Sequence, residues 1–319
     1  MTRDFLIDTD TASDDAVALI MALRAPDVRV LGITTVSGNV NVAQATRNAL
    51  YTVELCGAAD VPVFPGASQP LKRPYSSATW FHGEDGFGDH GYPEPKAKAQ
   101  TAQAADAIVD IVHSHPGIVL VTLGPLTNIA LALQKDLTIA KNVSRCVIMG
   151  GAPCCEGNVT PAAEYNIWVD PDAARIVMRS GMPVELIGWH LCRGEAIVND
   201  CEIERIRALG TPTAQFAVQC NSRAIEAIRI QTGELGISLP DPTAMGIAID
   251  PTLVTEQSSH LVEIETESDL TRGMTVVDRL NVGLDDRNSR NWNAAGSARV
   301  AWRMDVPRWK QQLVRALSL

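Results

Sequence analysis

Phe5-Leu-Ile-Asp8-Thr-Asp10-Thr-Ala-Ser-Asp14-Asp15 places four aspartates within eight residues, directly after an apolar run. Phe5–Ile7 reads as a short buried strand. Ala16 to Leu23 reads as the body of a helix predicted over Asp14–Arg24, with Ser13 or Asp14 as its N-cap. The acids therefore sit where a strand hands over to a helix. In open α/β sheets, ligands bind along that edge. A helix N-terminus favours an acid or two through its dipole. Four in one turn repel each other unless a cation or protons intervene.

Outward from this stretch, short apolar runs alternate with helical patterns. Strands are predicted at Phe5–Ile7, Val28–Val36, Val61–Phe64, Ile118–Leu123, Arg145–Met149 and Val184–Trp189. Helices are predicted at Asp14–Arg24, Asn41–Cys56, Thr101–Ser114, Leu126–Gln134 and Pro171–Ser180. Such alternation predicts an α/β fold, a mainly parallel central sheet flanked by helices on both sides. Several runs are apolar at consecutive positions, as strands buried on both faces require. Pro65 to Lys98 breaks the rhythm with Pro, Gly and aromatic residues, which suits a lid or binding loop. Gln215 to Gly236 reads as helical. Val262–Glu265 and Met274–Asp278 read as antiparallel strands around a Thr271-Arg-Gly turn, a small C-terminal β addition. With no repeat and no linker, residues 1–319 are expected to form a single domain.

Composition narrows the function. The 319 residues are 46% hydrophobic and carry a net charge of −10. A nucleic-acid polymer or an anionic membrane surface calls for a basic footprint, so neither is an expected partner. A small neutral or cationic ligand is compatible. No apolar run reaches the roughly 18 residues of a bilayer span. Met-Thr-Arg-Asp runs straight into a strand, so no secretory signal is expected. Seven cysteines without framework spacing suit a reducing, cytoplasmic setting. The adjacent Cys154 and Cys155 read as structural.

Oxygen-only ligands suit a hard cation, Ca²⁺ or Mg²⁺. The cluster is no EF-hand, because the sixth and twelfth positions from Asp8 are Ser13 and Leu19 rather than Gly and Glu. Nor is it a phosphate cradle, which needs clustered glycines and the opposite charge. A second polar cluster, Asn158-Val-Thr-Pro-Ala-Ala-Glu164-Tyr-Asn166, offers amides and a carboxylate suited to sugar hydroxyls. Leu123-Gly-Pro-Leu-Thr127-Asn reads as a βα turn with Pro125 near the helix start. Asp241-Pro-Thr-Ala reads as a turn opening a helix.

The spacing Asp8-x-Asp10-x-x-x-Asp14-Asp15 resembles the N-terminal signature of the calcium-dependent nucleoside hydrolases, with Thr11-Ala12 where that family usually has Pro-Gly. The stretch from Gly157 to Asn166, followed by Asp170-Pro-Asp-Ala-Ala, is similar to the family's ribose-binding segment. The Leu123, Asp241 and His82-Gly-Glu-Asp-Gly-Phe-Gly segments resemble its other motifs, as do Ser37-Gly-Asn39 and Arg272 to Asp278. The resemblance implies hydrolysis of the N-glycosidic bond of ribonucleosides by a Ca²⁺-bound water. Asp10, Asp15, Asp241 and the Leu123 carbonyl would hold the metal, with Asp8 supporting from behind. Asp10 would also be the general base. Asp14, Asn158, Glu164 and Asn166 would grip the ribose, and Asn39 would lie beside the water. The family often has His before its last metal-ligand Asp, as the acid for the departing base. Pro240 stands there, so His82 becomes the expected acid and His190 the second candidate. Trp80, Trp168 and Trp189 are candidates to stack on the base. A homodimer or homotetramer is the family expectation.

Two rival classes fit part of the sequence. Asp8-Thr-Asp10-Thr11 after an apolar strand also suits a haloacid-dehalogenase-like phosphatase, with Asp8 as nucleophile, Asp10 as acid and Mg²⁺ as cofactor. That reading leaves Asp14-Asp15 and the Asn158 to Asn166 cluster without a role. A non-catalytic ribose- or nucleoside-binding protein is the other, since Pro240 replaces the usual acid.

Overall fold

Phe5, Leu6 and Ile7 have no exposed surface, because the first strand, β1 (Arg3–Thr9), lies in the middle of a sheet covered on both faces. The computed structural model describes residues 2–284, 292 and 295–319. After β1 come α1 (Ser13–Arg24), β2 (Val28–Thr35), α2 (Val42–Leu55) and β3 (Val63–Pro65). A long loop follows, holding only the short α3 (Thr79–His82). Next are α4 (Ala104–Ser114), β4 (Ile118–Thr122), α5 (Thr127–Lys135) and β5 (Val143–Met149). Then come α6 (Tyr165–Val169), α7 (Pro171–Met178) and β6 (Val184–Ile187). Four helices follow: α8 (Asp200–Arg207), α9 (Pro212–Cys220), α10 (Ser222–Thr232) and α11 (Pro240–Ile249). The chain ends in β7 (Val254–Ile264), β8 (Thr275–Val277), β9 (Gly296–Met304) and a C-terminal helix, Val306–Leu317.

The strands form one sheet in the order β3-β2-β1-β4-β5-β6-β9-β7-β8. The first seven in that order run parallel, and β7 is antiparallel to both β9 and β8. Along β1 the side chains alternate between two cores. Phe5 and Ile7 join α1, α9, α11 and the C-terminal helix, while Leu6 joins α4, α5 and α7. The chain winds outward from β1 to β3, then restarts on the other side at β4. This reversal opens a crevice at the carboxyl ends of β1 and β4, where ligands bind in such sheets.

The expected strands and helices are present, and so is the antiparallel pair, with Val262 opposite Val277 and Ile264 opposite Thr275. That pair does not stand apart from the sheet. β9, which the sequence pattern does not predict, lies parallel beside β6 and joins β7 and β8 to it. The cap of α1 also differs from expectation. Ala12 is the N-cap, and Asp15 accepts its backbone N–H at 2.9 Å. Asp14 and Asp15 thus lie inside the first turn, and Ser13 to Ala22 are all buried.

Candidate active site

Five aspartates meet beneath the crevice: Asp8, Asp10, Asp14, Asp15 and Asp241, all at most 6% exposed. β1 delivers Asp8, the loop after it Asp10, and the first turn of α1 Asp14 and Asp15. Asp241 comes from the first turn of α11, which packs along α1. Proline at the start of α11 costs no helical hydrogen bond. Both helices point their N-termini, the positive ends of their dipoles, at the acids they carry. The far end of α11 is held too. Arg145 donates to the Ala248 carbonyl at 2.9 Å and pairs with Glu185 at 2.7 Å.

Each carboxylate is fixed differently. Asp8 accepts from Thr34 Oγ1 (2.5 Å) and Asn128 Nδ2 (2.8 Å). Asp15 accepts from Thr9 Oγ1 (2.5 Å) as well as from Ala12. Asp10 Oδ2 accepts from the Asn39 backbone (2.6 Å), while its Oδ1 is buried with no partner. Asp14 Oδ1 is buried without one as well. Glycine makes room for Asp10: a Cβ at Gly124 would come within 2.7 Å of its Oδ1.

Burial, opposed by hydrogen bonds from Asn128 and Thr34, raises Asp8 to about 7. Burial and then the Asp15 charge raise Asp14 to about 7 and push Asp10 well above the ordinary carboxylate value. Burial, then Asp14, Asp15 and Asp10, does the same to Asp241. Acids so crowded must hold protons or a cation at neutral pH. The donor set fits a cation. One oxygen each from Asp14, Asp15 and Asp241 lie within 4.8 Å of one another. Asp10 Oδ1 and Asp14 Oδ1 await a partner, and every donor is a hard oxygen.

Above the acids is a cavity of about 400 Å³, enough for a small metabolite. Asp14, Asn39, His82, Leu123, Asn158, Glu164, Asn166 and Asp241 line it, with Trp80, Trp168, Trp189 and Pro240. Asp10 and Asp15 lie below its lining, and Asp8 deeper still. None of the described lining residues is Lys or Arg. Glu164 caps α6, accepting from the Asn166 (2.8 Å), Gly151 (2.8 Å) and Ile167 (3.2 Å) backbones. Asn166 Nδ2 donates to the Leu123 carbonyl at 2.7 Å, which leaves that oxygen a second lone pair. Asn158 Oδ1 accepts from Tyr165 N (2.8 Å). Asp170 joins three segments by accepting from Thr127, Leu71 and Ala173.

His82 lies in the cavity wall, with Nδ1 2.8 Å from Ser13 Oγ and 3.9 Å from Asp14 Oδ1. Burial pushes its imidazole down to about 3, so the ring is neutral at pH 7 in this conformation. His190 is not among the lining residues, and its Nε2 faces the Ala301 carbonyl at 3.0 Å. Trp168 has one face covered by the Arg272 guanidinium, 4.1 Å from the ring centre, and Trp80 is 61% exposed. Sequence reasoning misses Asn221, which is fully buried in the wall between α9 and α10. It also misses Ser76 and Ser77 in the roof.

A family model described as "inosine-uridine preferring nucleoside hydrolase" matches residues 5–311. The chain belongs to that family. It is 41% identical to the pyrimidine-specific ribonucleoside hydrolase RihA of Shewanella baltica, over 88% of this chain and 87% of that one. It is 36% identical to uridine nucleosidase 1 of Arabidopsis thaliana, over 94% and 89%. A solved plant nucleoside hydrolase superposes with a TM-score of 0.93 at 31% identity, covering 100% of this chain and 99% of that one. This nucleoside hydrolase is thus an N-glycosyl hydrolase of ribonucleosides. The phosphatase reading is not favoured. Its nucleophile, Asp8, is tied to Thr34 and Asn128 below the cavity. The non-catalytic binding reading is not favoured either. Among the described residues, no helix is long and apolar enough to cross a membrane.

Proposed function

We propose that the chain, as one domain over residues 1–319, cleaves ribonucleosides to ribose and free base with the help of Ca²⁺. One juxtaposition carries this reading: cation-seeking carboxylates form the floor of a cavity whose wall is Asn158, Glu164 and Asn166. Asp10, Asp15, Asp241 and the Leu123 carbonyl would hold the cation, with Asp8 behind. A hard dication bound there would supply Lewis acidity to a water and to the ribose hydroxyls. Asp10, whose Oδ1 no protein donor occupies, would act as the base that takes the proton from the attacking water. Asn39 holds the other oxygen of Asp10 and so fixes its direction. Asp14, Asn158, Glu164 and Asn166 bind ribose hydroxyls. As the C–N bond breaks, positive charge grows on the ribose, and the anionic floor favours it.

Pro240 has no proton to give, so His82 is the proposed donor to the base, a role that requires the ring to leave the burial that keeps it neutral here. Uridine is the first substrate to assay, given the names of the relatives at 36% and 41% identity. A uracil also departs as a resonance-stabilised anion, which asks less of the acid. A cytoplasmic homodimer or homotetramer serving nucleoside salvage completes the proposal. The test is a nucleoside panel read by reducing-sugar release, with added Ca²⁺ and with excess chelator. Metal analysis should find one ion per chain, and full activity in chelator would refute the cation's part.

A further inference from the structure

The roof of the cavity is the stretch 76–82, which includes α3 and contributes Ser76, Ser77, Ala78, Trp80, Phe81 and His82 to the lining. It ends at Gly83, whose φ of 91° favours glycine. Two polar ties hold it on the side of the carboxylate floor. The Ala78 N–H donates to the Asn39 carbonyl at 3.0 Å, and His82 meets Ser13. A third tie comes from the opposite wall, where the Tyr165 hydroxyl donates to the Ser76 carbonyl at 2.7 Å. Tyr165 opens α6 between Glu164 and Asn166, and its own N–H donates to Asn158 Oδ1. The side chain that reaches the roof is thus bracketed by the three wall residues.

We propose that Tyr165 is a positioning residue whose hydroxyl latches the roof to the ribose-binding wall, so that seating ribose and closing the roof are one event. The proposal rests on the reading of Asn158, Glu164 and Asn166 as ribose ligands. Ribose held by these residues fixes the first turn of α6 and with it the phenol. The phenol then holds Ser76 and the roof. Without the hydroxyl, the closed form is less populated and apparent affinity falls in proportion. At saturation the bound nucleoside holds the roof itself, so turnover changes little.

The test is Tyr165→Phe in the Ca²⁺-loaded enzyme, which keeps the ring and removes the donor. Amide hydrogen exchange across 76–82 without substrate should speed up about fivefold to tenfold, the effect of one neutral hydrogen bond, while α4 stays unchanged. KM should rise by a similar factor, with kcat within about twofold of wild type. A mere loss of fold stability would speed exchange in α4 as well and would leave KM unchanged. Unchanged exchange in the roof overturns the latch. Faster roof exchange with unchanged KM overturns the coupling to ribose. If Glu164→Ala binds nucleoside normally while Tyr165→Phe still loosens the roof, the ribose reading has failed and the latch has not.

Discussion

The floor and the roof of the cavity are built on opposite plans. The floor comes from strand ends and two helix N-termini, and its carboxylates are fully or almost fully buried. Asp8, Asp10 and Asp15 are each held by backbone or side-chain donors from neighbouring strands and turns. The roof is a loop with one short helix and a half-exposed surface, and its polar ties include those to Asn39, Ser13 and Tyr165. Chemistry that must be placed to a fraction of an ångström sits on the rigid part. Admission and release would fall to the roof, whose short helix packs on α10 while the loop around it is partly exposed.

Substitutions in the floor should break turnover, and those in the roof should shift selectivity and affinity. The largest effect is expected for Asp10→Asn. The amide keeps the shape but cannot take a proton, so kcat should fall about 10²–10⁴-fold with the fold intact. A variant with most of its wild-type kcat would remove Asp10 as the base. Glu164→Ala and Asn166→Ala come next, in the wall between the two regions. Loss of hydrogen bonds on a charged group should cost about tenfold to hundredfold in kcat/KM, spread over both parameters. Kinetics unchanged in both variants would take this wall out of the site.

His82 sharpens the contrast, because it is a roof residue offered a chemical task. His82→Ala should slow ordinary nucleosides about tenfold, below the usual range for acid catalysis because the buried ring is neutral. Its effect on p-nitrophenyl riboside, whose leaving group needs no proton, should be much smaller. Equal losses on both substrates would make His82 a positioning group only.

The smallest effect concerns the floor alone. Asp8 and Asp14 have folded-state values near 7, above those of an unfolded chain. Between about pH 4 and about pH 7 the unfolded chain releases protons that the folded one keeps, so metal-free stability should fall as pH rises through that window. In chelator, the melting temperature should drop by several degrees across it, and Ca²⁺ should flatten the drop. A metal-free protein that gains stability with rising pH would mean that the acids do not titrate as buried groups.

Legibility in the sequence follows the same division. The floor is readable because its acids lie within one turn of chain and its glycines and prolines mark the neighbouring turns. Asn39, Asn158, Glu164, Asn166, Asp241 and Leu123 are found by motif, and the structure gathers them all around one cavity, whose lining leaves out the buried Asp8, Asp10 and Asp15. The trio within mutual reach includes Asp14, which the motif alone gives to ribose. Partners far apart in sequence are not legible. Nothing local says that Asn128 will serve Asp8, or that the Tyr165 hydroxyl will reach Ser76. β9 escapes for a similar reason, since it finds its neighbour β6 more than a hundred residues back.

The absence of Lys and Arg from the described cavity lining has a consequence for cell economy. A phosphate ester would bring about −1.5 to −2 charges into a chamber floored with carboxylates. Nucleotides, the working currency of nucleic-acid synthesis and energy transfer, should therefore pass untouched. On that reading, this enzyme would act on a nucleotide's skeleton only after another enzyme had removed the phosphate. Such a cavity would discriminate against nucleotides by charge alone, without a phosphate-binding cation among the described lining residues.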